Sequence, residues 1–328
     1  MDSGTHVVMG LGIAGLSTLD PVMSQSTATF HAVMIGTLVG SVIPDIDTVL
    51  KLKNNAIYIR NHRGITHSLP ATLLWPCVIT IILNYLFPSS FLLHVFLWTL
   101  FSVFLHVFVD IFNAYGTQAI RPISKKWVAL CIIPIFDPAI FGLHFIGLAF
   151  WYFTDHAGVI FLTIYMLLIV YYILRTYQYH QTKKALMKEL PNLIEIYLSP
   201  NIRMYSYHFA AKSKDQFYVG KLDGKAVFII DQFDRPPVPS SDLVLSAKQD
   251  KNIRAFLSFS PIYRWELKSF DYGYELRFID LRYYVPGHYP FVAVALLSKD
   301  LTIESSYTGW VFSEKKLRKK LIAQTHMK

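Results

Sequence analysis

Apolar residues run in long blocks through the first 175 positions and then give way to short alternating runs. The blocks cover roughly 5–19, 28–44, 69–87, 91–112, 127–136, 138–153 and 157–174. A helix crosses the hydrocarbon core of a bilayer in about 20 residues, within a range of about 17 to 25, so the third, fourth and last blocks predict full spans. The first is short and glycine-rich, with Gly10, Gly12 and Gly15. Residues 127–136 are too few to cross, and Pro134 and Pro138 flank Asp137 beside them. That block predicts a re-entrant piece or part of a broken helix, tolerable at membrane depth only where protein or water covers its backbone.

Beyond the last block the period changes. Phe217-Tyr218-Val219, Ala226-Val227-Phe228-Ile229-Ile230, Tyr274-Glu275-Leu276-Arg277-Phe278, Tyr283-Tyr284-Val285 and Phe291-Val292-Ala293-Val294-Ala295-Leu296 are aromatic and β-branched. Asp223-Gly224 and Pro286-Gly287 punctuate them as turns. These runs predict a small, mostly antiparallel β domain over roughly 200–312, closed by a basic tail helix. The fold class expected is an α-helical polytopic membrane domain at 1–175 and a basic connector at 176–199. A soluble β-rich domain with a basic C-terminal tail follows at 200–328.

Charge sharpens that division. The chain is 53% hydrophobic, with a mean hydropathy of +0.36. Residues 1–175 carry 8 Lys and Arg against 7 acids, all Asp, for a net +1, whereas residues 176–328 carry 23 against 15, for +8. A basic soluble domain suits an anionic membrane surface or an anionic ligand. Its basic residues are dispersed until Lys315–Lys320, which makes nucleic-acid binding the lesser reading. Cys77 and Cys131 sit in apolar stretches without paired spacing, as buried thiols do. The opening Met1-Asp2-Ser3-Gly4-Thr5-His6 has no positive segment of the secretory kind, so it is expected to be retained.

Against this apolar background a few His and Asp residues stand out at or near the ends of the blocks. They are His6, Asp45, Asp47, His62, His67, His106 and Asp110, with Asp137 a further candidate. Ionisable groups are expensive at membrane depth, so such a set is a functional-site hypothesis. His106 and Asp110 are four apart on a helical run and therefore share a face. Mixed imidazole and carboxylate ligands suit Zn, Mn or Fe, where carboxylate and water alone would suit Mg or Ca. Pro44-Asp45-Ile46-Asp47 ends a helix with two carboxylates, a pattern that also serves plain turns. In His62-Arg63-Gly64-Ile65-Thr66-His67-Ser68, Gly64 lets the backbone bend so that both His face inward. Ser68 is placed to cap the next helix, and Arg63 to hold an anionic oxygen. His31, His94, His144 and His156 read as structural.

Positive residues fall in three loops: Lys51, Lys53, Arg60 and Arg63; Arg121, Lys125 and Lys126; Arg175, Lys183 and Lys184. Even numbers of crossings separate these loops, so all three are expected on the cytoplasmic side. With the N-terminus inside as well, every candidate ligand falls near that one face.

At these residues the chain resembles the YdjM-type family of membrane-bound metal-dependent hydrolases, most closely its YfhP-like branch. The likeness covers about residues 1–175. It rests on Asp2-Ser3-Gly4-Thr5-His6-Val7-Val8-Met9-Gly10, Pro44-Asp45-Ile46-Asp47, His62-Arg63-Gly64-Ile65-Thr66-His67-Ser68 and Leu105-His106-Val107-Phe108-Val109-Asp110. It implies a hydrolase with a metal site. A more distant similarity is to zinc-dependent phospholipase C and single-strand nucleases, in which His, Asp, His and then HxxxD supply ligands in that chain order. Those enzymes add a later His and an HxxxE, whereas the first Glu here is Glu189. One or two metal ions are therefore expected.

Together these readings predict a membrane-bound, metal-dependent hydrolase acting on a phosphoester of a lipid or other membrane-associated substrate. Zinc is the favoured cofactor, and Asp47 and Arg63 are the catalytic candidates beside the ligands. Two rival classes stay open: a membrane regulator or scaffold working through the basic C-terminal domain, and a metal or proton transporter. A transporter needs polar residues deep in several helices on both sides of the midplane, and here they gather at one face.

Overall fold

A computed structural model of the chain describes residues 1–325 and folds as two compact units. The first comprises Met1–Asp47, Arg63–Lys184 and Ser199–Ser206; the second comprises Thr48–His62, Ala185–Leu198 and Tyr207–Lys328.

In the first unit the apolar blocks are helical with one exception. They form α1 (Ser3–Ser17), α2 (Pro21–Gln25), α3 (Thr27–Gly40), α5 (Leu69–Leu86), α6 (Leu92–Asp110), α7 (Pro138–Phe153) and α8 (Ala157–Glu189), while α4 (Asn55–Asn61) belongs to the second unit. Side-chain oxygens start most of these helices. Asp2 caps α1, Ser26 caps α3, Ser68 caps α5 and Asp137 caps α7, each accepting the orphan N–H groups of a first turn. Among the described residues α5, α6 and α8 are long and apolar enough to cross a membrane, and α3 with the bent run after it would make a fourth span. Their outward residues are apolar, with Leu73, Leu74, Ile81, Phe104 and Ile169 all exposed, as surfaces solvated by lipid require.

The helices approach closely through small residues. A Cβ on Gly10 of α1 would lie 2.3 Å from the Oγ of Ser41, and one on Gly36 of α3 would lie 2.4 Å from the Oγ1 of Thr99 on α6. Close backbone approach at such positions is how helices associate where no hydrophobic effect drives them together.

The exception is the block at 127–136. It is not helical but irregular, with Cys131 in the left-handed region at φ 57°, so it is no part of a broken helix. The Leu130 N–H donates to the Ile111 carbonyl and the Ile132 N–H to the Phe112 carbonyl, both at 2.8 Å. Arg175 Nε donates to the Ile132 carbonyl at 3.3 Å. Protein thus satisfies the backbone that a helix would have satisfied internally. The basic stretch at 176–199 is largely the continuation of α8 to Glu189.

The second unit holds two four-stranded sheets, antiparallel wherever the strand pairing is resolved, in line with the expected β-rich part. The strands β1 (Glu195–Pro200), β2 (Ser206–Lys212), β3 (Gln216–Asp223) and β4 (Ala226–Asp234) lie in that order, followed by β5 (Tyr263–Phe270), β6 (Gly273–Asp280), β7 (Phe291–Ser298) and β8 (Ile303–Trp310) in the other sheet. Between them come α9 (Asp242–Gln249) and α10 (Lys251–Phe259), and α11 (Glu314–Thr325) is the basic tail helix. Strand β7 is apolar from Phe291 to Leu297, as a strand buried on both faces is. Phe291, Ala293, Ala295 and Leu297 pack with Leu243, Val244, Ile253 and Phe256 of α9 and α10. The alternate Val292 and Val294 pack with Val219, Leu317 and Leu321. Helix α4 joins this unit through Asn55, whose Nδ2 donates to Tyr307 Oη and to the Thr308 carbonyl, each at 3.2 Å.

A candidate metal centre

Four elements of the first unit converge on one buried point. His6 lies in the second turn of α1 and is fully buried. Asp45 and Asp47 follow α3 on the 3-10 run Ile43–Leu52. His67 ends the 3-10 turn Ile65–His67 just before α5, and His106 and Asp110 occupy the last two turns of α6.

One ligand atom each from Asp45, His67, His106 and Asp110 falls within 4.8 Å of the others. His106 Nε2 is 3.3 Å from His67 Nε2, 3.7 Å from Asp110 Oδ2 and 3.9 Å from Asp45 Oδ1. His67 Nε2 is 3.5 Å from Asp45 Oδ1 and 3.6 Å from Asp110 Oδ2. Four atoms bound tetrahedrally at about 2.0–2.2 Å from a zinc ion stand roughly 3.3–3.6 Å apart. The observed separations meet or slightly exceed that range.

The hydrogen bonds around the rings fix which lone pairs face inward. His106 Nδ1 lies 2.5 Å from the Ser41 carbonyl, which can only accept, so the ring donates there and its neutral form leaves Nε2 a bare lone pair. His67 Nδ1 lies 3.1 Å from Thr66 Oγ1. The Thr66 hydroxyl donates to Asp47 Oδ2 at 2.6 Å, so its oxygen accepts from His67 Nδ1–H and again Nε2 is the lone pair. Two imidazole lone pairs and two carboxylate oxygens therefore point at one another. Asp45 Oδ1 and Asp110 Oδ2 are buried atoms without a hydrogen bond. Arg63 Nη2, 3.1 Å from Asp110 Oδ2, offsets part of the charge of this donor set, and its two imidazoles and two carboxylates at these separations fit a divalent metal. Outer-shell partners that set each tautomer are the usual company of metal-binding His.

The other candidates take different places. The His6 ring stacks on His106 with centroids 3.8 Å apart, and its Nε2 is 3.3 Å from Asp110 Oδ1, the carboxylate oxygen turned away from the four. Neither His6 nitrogen makes a hydrogen bond. The Met1 backbone nitrogen contacts the same Asp110 Oδ1. Asp47 Oδ2 accepts the Arg63 N–H at 2.7 Å as well as the Thr66 hydroxyl, so it ties down the loop that presents His67. His62 is the C-cap of α4 in the second unit, with its ring stacked on Tyr58. Asp137 caps α7 and accepts from Tyr171 Oη at 2.7 Å, apart from the four.

Arg63 is held in the left-handed region at φ 56°, a conformation uncommon for a residue with a Cβ and one that collects at functional sites. Its guanidinium reaches Asp110 Oδ2 at 3.1 Å and the Met1 carbonyl at 3.0 Å. The side chain is thus buried at the cluster, with its charge against the Asp110 carboxylate. Of the structural His, His94 Nδ1 lies 2.6 Å from Asp20 Oδ2 and His144 Nδ1 lies 2.8 Å from the Ile140 carbonyl.

Reading the sequence passed over Ser41, Thr66 and Asn113 as partners of the ligands. Asn113 Nδ2 donates to Asp110 Oδ1 at 3.2 Å, while its Oδ1 accepts the Tyr115 and Gly116 N–H groups. A polar residue three positions after a helical ligand was the signal for it. Ser41 acts through its carbonyl, for which no side-chain pattern exists.

Transmembrane helices that carry a buried His and Asp cluster, followed by a sheet-containing part, define an integral membrane protein of two-part design. The family model for the YdjM inner membrane protein matches residues 1–182, that for the YfhP middle domain residues 191–233, and that for the YfhP C-terminal alpha/beta plait domain residues 242–321. The chain is 56% identical to YfhP of Bacillus subtilis (strain 168) over 322 residues, 98% of each protein. It belongs to the YdjM family of inner membrane proteins. No solved structure matches it.

Proposed function

We propose that the protein is a membrane-bound, metal-dependent hydrolase of a phosphoester carried by a lipid or another membrane-associated molecule. The observation that carries this reading is the convergence of Asp45 Oδ1, His67 Nε2, His106 Nε2 and Asp110 Oδ2, four possible ligand atoms within 4.8 Å of one another. A divalent cation there, zinc by the ligand chemistry with Mn or Fe as the alternatives, would supply Lewis-acid polarisation of the substrate oxygen and an acidified water.

The chain's own groups divide the remaining work. Ser41 and Thr66 hold the two imidazoles in the tautomers that leave Nε2 bare. Asp47 anchors Thr66 and the Arg63 backbone, which makes it a positioning residue in this reading rather than the general base. Arg63 keeps a fixed positive charge beside Asp110, where it can bind a phosphoryl oxygen and stabilise charge that grows in the transition state. The Asp45 side chain is 18% exposed and those of His67, His106 and Asp110 are fully buried, so substrate approaches from the Asp45 side. His6, on the far oxygen of Asp110, is the first ligand available to a second ion.

In this reading the N-terminus, residues 45–67 and the C-terminal domain face the cytoplasm, the side that positively charged loops prefer. The test is turnover by purified protein loaded with Zn or Mn across a panel of lipid and nucleotide phosphoesters, with Asp110→Ala as control. Activity in the wild type that is lost in the variant supports the hydrolase. A blank across the whole panel from fully metallated protein removes it in favour of the regulator.

A further inference from the structure

A cavity of about 330 Å³ opens among α1, α6, α7 and α8, all in the first unit. That size lies in the range of small-molecule sites, roughly 300–1,000 Å³. Its walls are almost wholly hydrocarbon. Phe104 and Phe108 of α6 and Ile169 of α8 form an outer part exposed on the apolar surface of the helices. Met9 of α1 and Val109 of α6 lie on the inner side.

Few polar groups reach the walls, and one of them, His144 Nε2, is a buried atom without a hydrogen bond. Tyr165 Oη donates to the Met9 carbonyl at 3.3 Å, and His144 Nδ1 to the Ile140 carbonyl at 2.8 Å. A water needs two to four polar partners to occupy a cavity, and these walls offer little to it. In a bilayer the available filling is hydrocarbon.

The cavity also adjoins the ligand cluster along two helices. Val109 is the residue before Asp110, and Met9 follows His6 by three positions, one turn further along α1. Any amphiphile whose anionic head lies by Arg63 and the His and Asp cluster would therefore find a hydrocarbon slot on the same helices. We infer that this cavity is the acyl-chain subsite of the enzyme, and that the substrate class is a lipid phosphoester bound with one hydrocarbon chain between α6 and α8. The headgroup half of this inference rests on the hydrolase reading above; the chain half rests on the cavity alone.

The test uses the full-length protein in lipid-free amphipol, with dipalmitoyl phosphatidic acid as probe and Ile169→Trp as the variant that fills the outer part of the slot. Ile169→Ala, which enlarges the slot, guards against misfolding by the bulkier residue. Native mass spectrometry should show lipid retained by the wild type and by Ile169→Ala and reduced at least about tenfold in Ile169→Trp, with metal content alike in all three. Kinetics then join the two halves. Across dibutyryl, dihexanoyl and dioctanoyl phosphatidic acid, wild-type kcat/KM should rise by up to about fourfold for each methylene moved from water into the slot, and Ile169→Trp should flatten that rise. If Ile169→Trp retains as much lipid as the wild type, the subsite is wrong whether or not the protein hydrolyses anything. If lipid retention follows the prediction but no lipid phosphoester is turned over, the subsite stands as a lipid site and the hydrolase falls.

Discussion

Thr66→Val is the perturbation that isolates the logic of the cluster, because Thr66 links His67, one of the four donors, to Asp47. Its hydroxyl stands between His67 Nδ1 at 3.1 Å and Asp47 Oδ2 at 2.6 Å. Valine has a similar shape and removes both hydrogen bonds. The His67 Nδ1–H then loses this acceptor and the ring loses the contact that selects its tautomer. Leaving a buried donor unsatisfied costs about 1–3 kcal/mol, and loss of an outer-shell partner weakens metal binding by about 10–100-fold. At about 1.4 kcal/mol per tenfold, the second estimate is about 1.4–2.8 kcal/mol, so the two agree. The assay is zinc titration of purified protein in competition with a chelator of known affinity, beside Thr66→Ser, which keeps the hydroxyl and should stay near wild type. A Thr66→Val affinity within about twofold of wild type would show that the bond does not set the His67 tautomer.

Arg63→Ala should keep its metal, since a guanidinium offers donors only, while phosphoester turnover falls sharply; Arg63→Lys should recover little because the forked donor geometry is lost. Unchanged turnover in Arg63→Ala would remove Arg63 from the chemistry and leave the metal site intact. In the second unit, burial alone would raise the Glu314 carboxyl, but the hydrogen bond and charge of Arg277, joined by Arg318, outweigh it and hold it below the usual value. A carboxyl depressed in the folded state stabilises above its unfolded pKa of about 4.3 and loses that contribution as pH falls through the lower folded value. Acid should therefore lower the melting temperature of the second unit more steeply in wild type than in Glu314→Gln, and equal slopes would contradict the assignment.

Much of the fold was legible because long apolar blocks and alternating runs are local signals. The helical first half and the antiparallel strands of the second follow from them directly. Other features needed longer-range information. Helices α9 and α10 do carry a helical period, with Leu243, Val244 and Ala247 then Ile253 and Phe256 buried, but they are short and sit between strand-like runs. They separate the two sheets within the β-rich part. Helix α4 packs with β8 through Asn55, some 252 residues away from Tyr307, a contact no local pattern encodes. The irregular run at 127–136 has the composition of a buried helix, and its hydrogen bonds to Ile111 and Phe112 just after α6 decide otherwise. At the candidate site, residue type and chain position singled out His67, His106, Asp45 and Asp110. Their tautomers depend on the Ser41 carbonyl and on the chain from Asp47 through Thr66, which exist only in the fold.

The central claim is that the four donors hold a metal ion, and elemental analysis of the purified protein tests it most directly. Wild type should contain at least one bound Zn, Mn or Fe per chain. His67→Ala and Asp110→Ala should lose it while remaining in the membrane fraction at wild-type abundance. Wild type without stoichiometric metal after reconstitution with zinc, or the same metal content in both variants as in wild type, would contradict the account.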